Sequence, residues 1–140
     1  MFDFVVNKSV THNESSALIA ELELRYNISF PDILKEYYIR HDGEMIEYCN
    51  INTKNDPEIV SKIVSLCNKE FESIKEECIV DGFIPDSMYP LASNRGGDYY
   101  FWDSEFGAVY LFYGDDIDSP VKKSNSVKDF FEMLDKSVKH

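Results

Sequence analysis

Two short aromatic segments constrain the fold of this chain more than any other feature of its sequence. Residues 99–102 and 108–113 are rich in aromatic and β-branched side chains, which favour strands, and a short polar break separates them. A third candidate strand, residues 89–92, precedes the adjacent glycines Gly96 and Gly97. Strand-forming runs joined by short polar or glycine turns are typical of an antiparallel meander. The sequence therefore predicts a meander over residues 89–113.

Segments with helical periodicity lie on both sides of the predicted meander. Apolar side chains recur at three- and four-residue spacing in residues 15–26, 31–42 and 126–138. The same spacing, after a proline that suits a first helical turn, predicts a long helix over residues 57–78. Residues 79–85 connect that helix to the meander, and residues 114–120 are expected to form an acidic loop.

Length and composition indicate one globular domain over residues 1–140. A chain of 140 residues with 44% hydrophobic residues is long enough to bury a core without disulfides or metal. With a further short strand expected at residues 45–51, the order of elements predicts an α+β fold, an antiparallel-rich sheet flanked by helices. Three cysteines without close pairing, no signal-peptide pattern and no long apolar run predict a cytoplasmic protein that does not enter a membrane.

Charge is the compositional feature that bears most on function. The net charge is −12, and residues 76–118 contain ten acids and one base, Arg95. Direct binding of nucleic acid is disfavoured because it requires a basic surface. A basic protein partner is favoured, since complementary charge speeds encounter. The alternative is an acidic protein whose charge serves only solubility.

Neither the glycines nor the titratable residues form a pattern typical of a catalytic, phosphate or metal site. Gly43 is expected to end the second helix, and Gly96 and Gly97 lie between strands rather than at the start of a helix, where phosphate binds. His41 at a helix end suits a structural role. Cys67 is expected on the apolar face of the long helix and therefore in the protein core. No histidine or cysteine pair has metal-ligand spacing. We predict no catalytic residue, no metal and no cofactor.

A partner-binding surface is predicted from the aromatic strand and the acids around it. Alternation along residues 99–102 places Tyr100 and Trp102 on one face of the sheet. One aromatic pair enters the core, while the other is either covered by another element or exposed as an anchor for a partner. The predicted partner-binding residues are Asp98, Tyr100, Trp102, Asp103, Glu105, Asp115, Asp116 and Asp118.

Two segments of the chain resemble the SMI1/KNR4 family of the SUKH superfamily. The first is residues 30–38, in which a hydrophobic residue and a proline open a helix, followed by His41-Asp42-Gly43. The second is residues 90–103, with a Gly-Gly-Asp turn between two strands, continued by Gly107-Ala108-Val109-Tyr110. Asp42 stands where asparagine is frequent in the family, which is a mild departure.

The resemblance implies a SUKH-like fold and a binding protein rather than an enzyme. Many bacterial members neutralise a cognate toxin, often a nuclease, whereas fungal members act as interaction hubs in cell-wall synthesis and signalling. The first hypothesis is therefore an immunity protein that blocks a basic toxin domain through an acidic surface. The second is a scaffold or regulatory module with no toxin partner.

Overall fold

The described part of the chain folds into four helices and one six-stranded sheet. The structure, a computed structural model, describes residues 2–6, 14–51, 58–114 and 116–138. The helices are α1 (Glu14–Tyr26), α2 (Asp32–His41), α3 (Glu70–Asp81) and α4 (Val127–Val138). The strands are β1 (Cys49–Asn50), β2 (Ile59–Ile63), β3 (Met88–Asn94), β4 (Tyr99–Asp103), β5 (Val109–Tyr113) and β6 (Asp116–Ser124).

Every strand in the sheet pairs antiparallel with its neighbour in the chain. The strand order is β1-β2-β3-β4-β5-β6, and the pairing of Tyr99 with Phe112 and of Trp102 with Val109 fixes the register of the two aromatic strands. The predicted meander is confirmed as β3–β5, and the predicted α+β class with an antiparallel sheet is confirmed.

The two faces of the sheet bury different sets of side chains. One face packs against α1, α2 and α4 through residues such as Leu22, Tyr38 and Phe130, and we call it the main face. The opposite face carries Phe101 and Phe112 and is partly covered by α3 and the segment after it, and we call it the second face. The second face is therefore the less completely covered of the two.

The sheet curls around its main face. Lys123 on β6 donates a hydrogen bond of 2.6 Å to Glu58, which precedes β2, and the Tyr100 hydroxyl donates one of 2.6 Å to the same carboxylate. On a flat sheet four interstrand spacings would separate β2 from β6, roughly 19 Å. The two outer parts of the sheet therefore bend toward each other over Tyr100.

The predicted helix over residues 57–78 is wrong. Residues 52–57 lie outside the described residues, β2 occupies Ile59–Ile63, and α3 begins only at Glu70. The register between β2 and β3 shifts between Val60 and Lys62, where Ser61 is the extra residue of a β-bulge. The bulge lets Val60 and Ile63 both face inward, so a strand acquires the three-residue spacing of a helix.

Three smaller expectations are also wrong. The segment predicted as an acidic loop contains the start of β6, an edge strand whose Pro120 and charged side chains are typical of edges protected against further pairing. Cys67 is exposed, because it lies in the turn between β2 and α3 rather than on a helix. Residues 79–81 continue α3 instead of leaving it.

The predicted turns and the last helix start are confirmed. Gly43 and Gly97 have φ of 80° and 88°, the left-handed conformation that glycine adopts without strain. A Cβ at Gly43 would lie 2.7 Å from Cys67 Sγ, so space as well as conformation requires glycine there. The Asp129 amide donates 3.0 Å to Ser126 Oγ at the start of α4. None of the helices in the described ranges is long and apolar enough to cross a membrane.

Candidate functional site

A groove lies over the second face of the sheet, between α3 and strands β4, β5 and β6. Its volume is about 140 Å³. Ile74 and Cys78 lie one helical turn apart and turn the same face of α3 toward the sheet. The apolar floor and walls comprise Ile74, Cys78, Ile84, Phe101, Phe112 and Ile117. We refer to this feature as the groove.

The rim of the groove is acidic. Glu77 and Asp81 from α3 and Asp98 from the β3–β4 turn line it, and no described lining residue is basic. Asp98 is held in place because its Oδ1 accepts 2.8 Å from the Gly114 amide, while its own amide donates 2.9 Å to Asn94 Oδ1. The rim therefore combines a fixed carboxylate with two on a helix surface.

The acids of α3 oppose the stability of their own helix. Glu77 and Asp81 are like charges four residues apart, an arrangement that destabilises an isolated helix by about 0.2–0.5 kcal/mol. Asp81 is also the last residue of α3, at the negative end of the helix dipole, and the last turn holds no base. A cationic partner at this rim would offset both penalties.

Apolar side chains next to the groove are exposed to solvent. Val80 is 83% exposed and Phe83 is 68% exposed. Val80 lies beside Asp81 in the last turn of α3, and Phe83 immediately precedes Ile84 of the groove wall. The packed core does not use these side chains, so they are available to a partner.

The expectation that Tyr100 and Trp102 are exposed anchors is wrong. Tyr100 is 0% and Trp102 is 1% exposed, because alternation along β4 turns both onto the main face. Tyr100 contacts Phe130 with ring centroids 5.1 Å apart, and Trp102 contacts Phe30 at 5.6 Å. Neither side chain reaches a partner without opening the core.

The predicted acids divide between the two ends of the sheet. Asp98 precedes β4 and Asp103 ends it, so they lie about 16 Å apart along the strand. Asp103 is buried, and its Oδ1 accepts 2.9 Å from the Glu105 amide, which closes the β4–β5 turn. Glu105 is exposed at that same end. Asp103 and Glu105 are therefore remote from the groove.

The acids of β6 belong to a strand that contributes to the groove, but their own side chains do not line it. Asp116 pairs with Tyr113 and is exposed, as is Asp118. Ile117 between them enters the groove wall, so alternation turns the two carboxylates away from it. Asp115 lies outside the described residues.

The sequence pattern does not predict a role for Glu77, Asp81 or the apolar groove residues. Helical spacing over residues 57–78 predicts one helix that ends before Asp81, and nothing in that prediction places its acids against the sheet. The available signal was the pair of acids beside Ile74 and Cys78, four residues apart on one helix face.

Two titratable side chains, Cys78 and His41, lie in environments that disfavour reactivity. Burial raises the pKa of the Cys78 thiol at the groove floor, so it stays protonated and weakly nucleophilic. His41 is buried at the end of α2, with Nδ1 2.8 Å from Glu44 Oε2 and its ring against Phe2, which is a structural environment. Within the described ranges no three histidine, cysteine, aspartate or glutamate side chains are placed to hold a metal ion.

A protein-family model matches most of the chain. The model of a family described as SMI1 / KNR4 family (SUKH-1) matches residues 14–133. The matched range includes α1–α3, the whole sheet and most of α4. No protein of curated function matches the chain.

Proposed function

The chain belongs to the SMI1/KNR4 family (SUKH-1), and from that membership we propose that it is an intracellular immunity protein that binds and neutralises a cognate toxin domain. Proteins of this family are in general binding proteins without catalytic activity. The proposal adds the kind of partner and the surface that meets it.

The acidic groove is the observation that carries the proposal. Glu77, Asp81 and Asp98 surround an apolar floor, and Asp116 and Asp118 add exposed negative charge on β6, the strand that supplies Ile117 to the groove wall. A field of one sign over a concave surface attracts a partner of opposite sign and raises the rate of encounter. We call these five residues the acidic surface.

The chemistry of the partner follows from the sign of that surface. A toxin that acts on nucleic acid needs lysine and arginine side chains to bind phosphates. An acidic protein that covers those side chains excludes the nucleic acid by occupying the same charges. A nuclease or another nucleic-acid-acting toxin domain therefore fits the acidic surface best.

Binding to the product of the gene immediately upstream tests the proposal. We expect a stable complex whose dissociation constant rises with salt, because exposed charges are screened beyond about 10 Å at 0.1 M salt. Replacing Glu77, Asp81, Asp116 and Asp118 by their amides should weaken the complex and reduce protection of cells that express the toxin domain. The matched control is Glu105→Gln, which removes an exposed acid at the far end of the sheet.

Two results would contradict the proposal. One is the absence of any complex with a toxin domain encoded beside the gene. The other is a complex whose affinity is the same in the four-fold amide variant as in the Glu105→Gln control, since charge at the acidic surface would then contribute nothing.

A scaffold module without a toxin partner is the second candidate. It is favoured by a separate exposed surface near β1, where Met45 and Tyr48 are exposed beside a pocket of about 270 Å³. The Arg95 guanidinium lies 5.3 Å from the Tyr48 ring centroid, and tyrosine, methionine and arginine are enriched in protein interfaces. A lone gene with no toxin gene upstream would favour this candidate.

A further inference from the structure

The apolar floor and the acidic rim of the groove together describe the side chains that could occupy it. We infer that the groove receives one large apolar side chain of a protein partner, carried on a segment in which lysine or arginine flanks that side chain. The inference rests on the proposed function, because it specifies how the partner of the same surface is recognised.

The size and lining of the groove suit a single apolar side chain. Its volume of about 140 Å³ is close to that of an apolar cavity, about 150 Å³, that binds benzene. Phe112 and Ile117 form its walls from the sheet, and Ile84 closes it from the segment after α3. Val80 and Phe83, exposed at the end of α3, do not line the groove but offer further apolar area to the chain that carries the side chain.

The rim selects the residues that flank the apolar side chain. Glu77 and Asp81 lie on one side of the groove and Asp98 lies on the other. A base on each side of the apolar residue would meet a carboxylate on each side of the groove. Such a base would also offset the like-charge repulsion and the unfavourable dipole position of Asp81.

Other occupants conflict with the charge of the rim. Nucleic acid and anionic membrane surfaces would bring phosphates against three carboxylates. A second copy of this chain would bring another net charge of −12 and the same acidic rim. A bare metal ion is disfavoured, since the described acids do not converge on one point.

The test uses the full chain and two synthetic peptides. One peptide has a single leucine between two pairs of arginines, and its match has alanine in place of leucine. Amide chemical shifts are followed by NMR during each titration. We expect the leucine peptide to shift the amides of Asp98, Phe112 and Ile117, and the alanine peptide to bind about tenfold more weakly.

A variant pair tests the apolar contact without disturbing the core. Val80→Ser with Phe83→Ser removes two exposed side chains, and Phe106→Ser removes an exposed phenylalanine in the β4–β5 turn as the matched control. We expect the first variant to bind the leucine peptide about threefold more weakly and the control to bind it as the unmodified chain does.

Equal affinity for the two peptides, or shifts spread over the whole acidic surface, would overturn the inference. Self-association that shifts Phe112 and Ile117 before any peptide is added would overturn it too, because a second copy would then fill the groove. If the toxin domain binds but the Val80 and Phe83 variant binds it normally, the inference fails and the proposed function stands. If the leucine peptide enters the groove but no toxin domain binds, the proposed function fails and the inference stands.

Discussion

Asp42 is a buried carboxylate that joins the end of α2 to the turn before α3. Its Oδ1 accepts 2.7 Å from the Leu66 amide, and its Oδ2 accepts 2.8 Å from the Cys67 amide and 3.3 Å from Ser15 Oγ. We expect Asp42→Ala to lower the free energy of unfolding by about 3 kcal/mol, because buried donors lose their acceptor. Asp42→Asn should cost less, since one acceptor oxygen is kept.

Urea unfolding of both variants measures this effect. Asp118→Asn, which changes an exposed aspartate on β6, is the control and should stay within about 0.5 kcal/mol of the unmodified chain. If Asp42→Ala were no more destabilising than that control, the carboxylate would not stabilise the fold in the way described.

For single residues, the sequence predicts the place of a side chain within an element better than the distant residues that it contacts. Asp42 and Gly43 are correctly placed at the end of α2, because glycine at a helix end is a local signal. The contact of Asp42 with Leu66 joins residues 24 positions apart, and no local pattern encodes it. Tyr100 and Trp102 show the same limit, since alternation pairs them on one face but does not say which face is buried.

The bulge in β2 sets the spacing between the two buried side chains of that element. Ser61 is the extra residue, and Val60 and Ile63 are both buried. Without Ser61, Val60, Lys62 and Ile63 would alternate regularly opposite Asn94, Ser93 and Ala92, so Val60 and Ile63 would both still face inward. We therefore expect deletion of Ser61 to lower the free energy of unfolding by less than about 2 kcal/mol, the value of burying one such side chain.

Thermal and urea unfolding of the deletion variant check this prediction, with Ser61→Ala as the control. The control keeps the extra residue and loses only a long hydroxyl contact of 3.5 Å to Ser93 O. A deletion that is about 2 kcal/mol or more less stable than Ser61→Ala would contradict the prediction, since one of the two side chains would then have left the core.

Whole elements were predictable where their pattern had one interpretation. α4 and the aromatic strands have clean periodicity and are predicted within a few residues. The segment of β2 predicts a helix because its bulge gives helical spacing, and the four β-branched residues in 59–64 are the competing signal. Part of β6 has the sequence of a loop because an exposed edge strand carries no apolar alternation.

At the scale of the whole molecule, buried tyrosines set a limit on stability at alkaline pH. Burial raises the pKa of Tyr37, Tyr38 and Tyr100 above the ordinary value, and the hydrogen bond to Glu58 raises that of Tyr100 further. Because these pKa values are higher in the folded state, their contribution to stability is full below about pH 10. It is lost as pH rises above that value.

We therefore expect unfolding and the ionisation of these three buried tyrosines to occur in one transition above about pH 10. Circular dichroism and the ultraviolet absorbance of tyrosinate, recorded on the same samples, measure the two events. Tyrosinate absorbance for these three residues in a chain that keeps its folded circular dichroism would contradict the prediction.

Composition gives the net charge of the chain, but it does not give the location of the acidic side chains on the surface. The described acids of residues 76–118 lie in α3, β4, β6 and three of the connections, and only packing brings Glu77 and Asp81 beside Asp98. The same packing sends Asp103 and Glu105 to the other end of the sheet. A net charge predicts the sign of a partner, whereas the surface that meets it depends on the fold.

The neighbour-to-neighbour order of the sheet has a consequence for how the chain reaches its native state. Every strand pairs with the strand before or after it, so pairing can extend one strand at a time, and the longest connection, residues 64–87, is shortened by α3. The bond between Lys123 and Glu58 joins positions 65 residues apart and requires both outer parts of the sheet to be in place. That bond therefore belongs to the last stage of folding, and its loss should speed unfolding more than it slows folding.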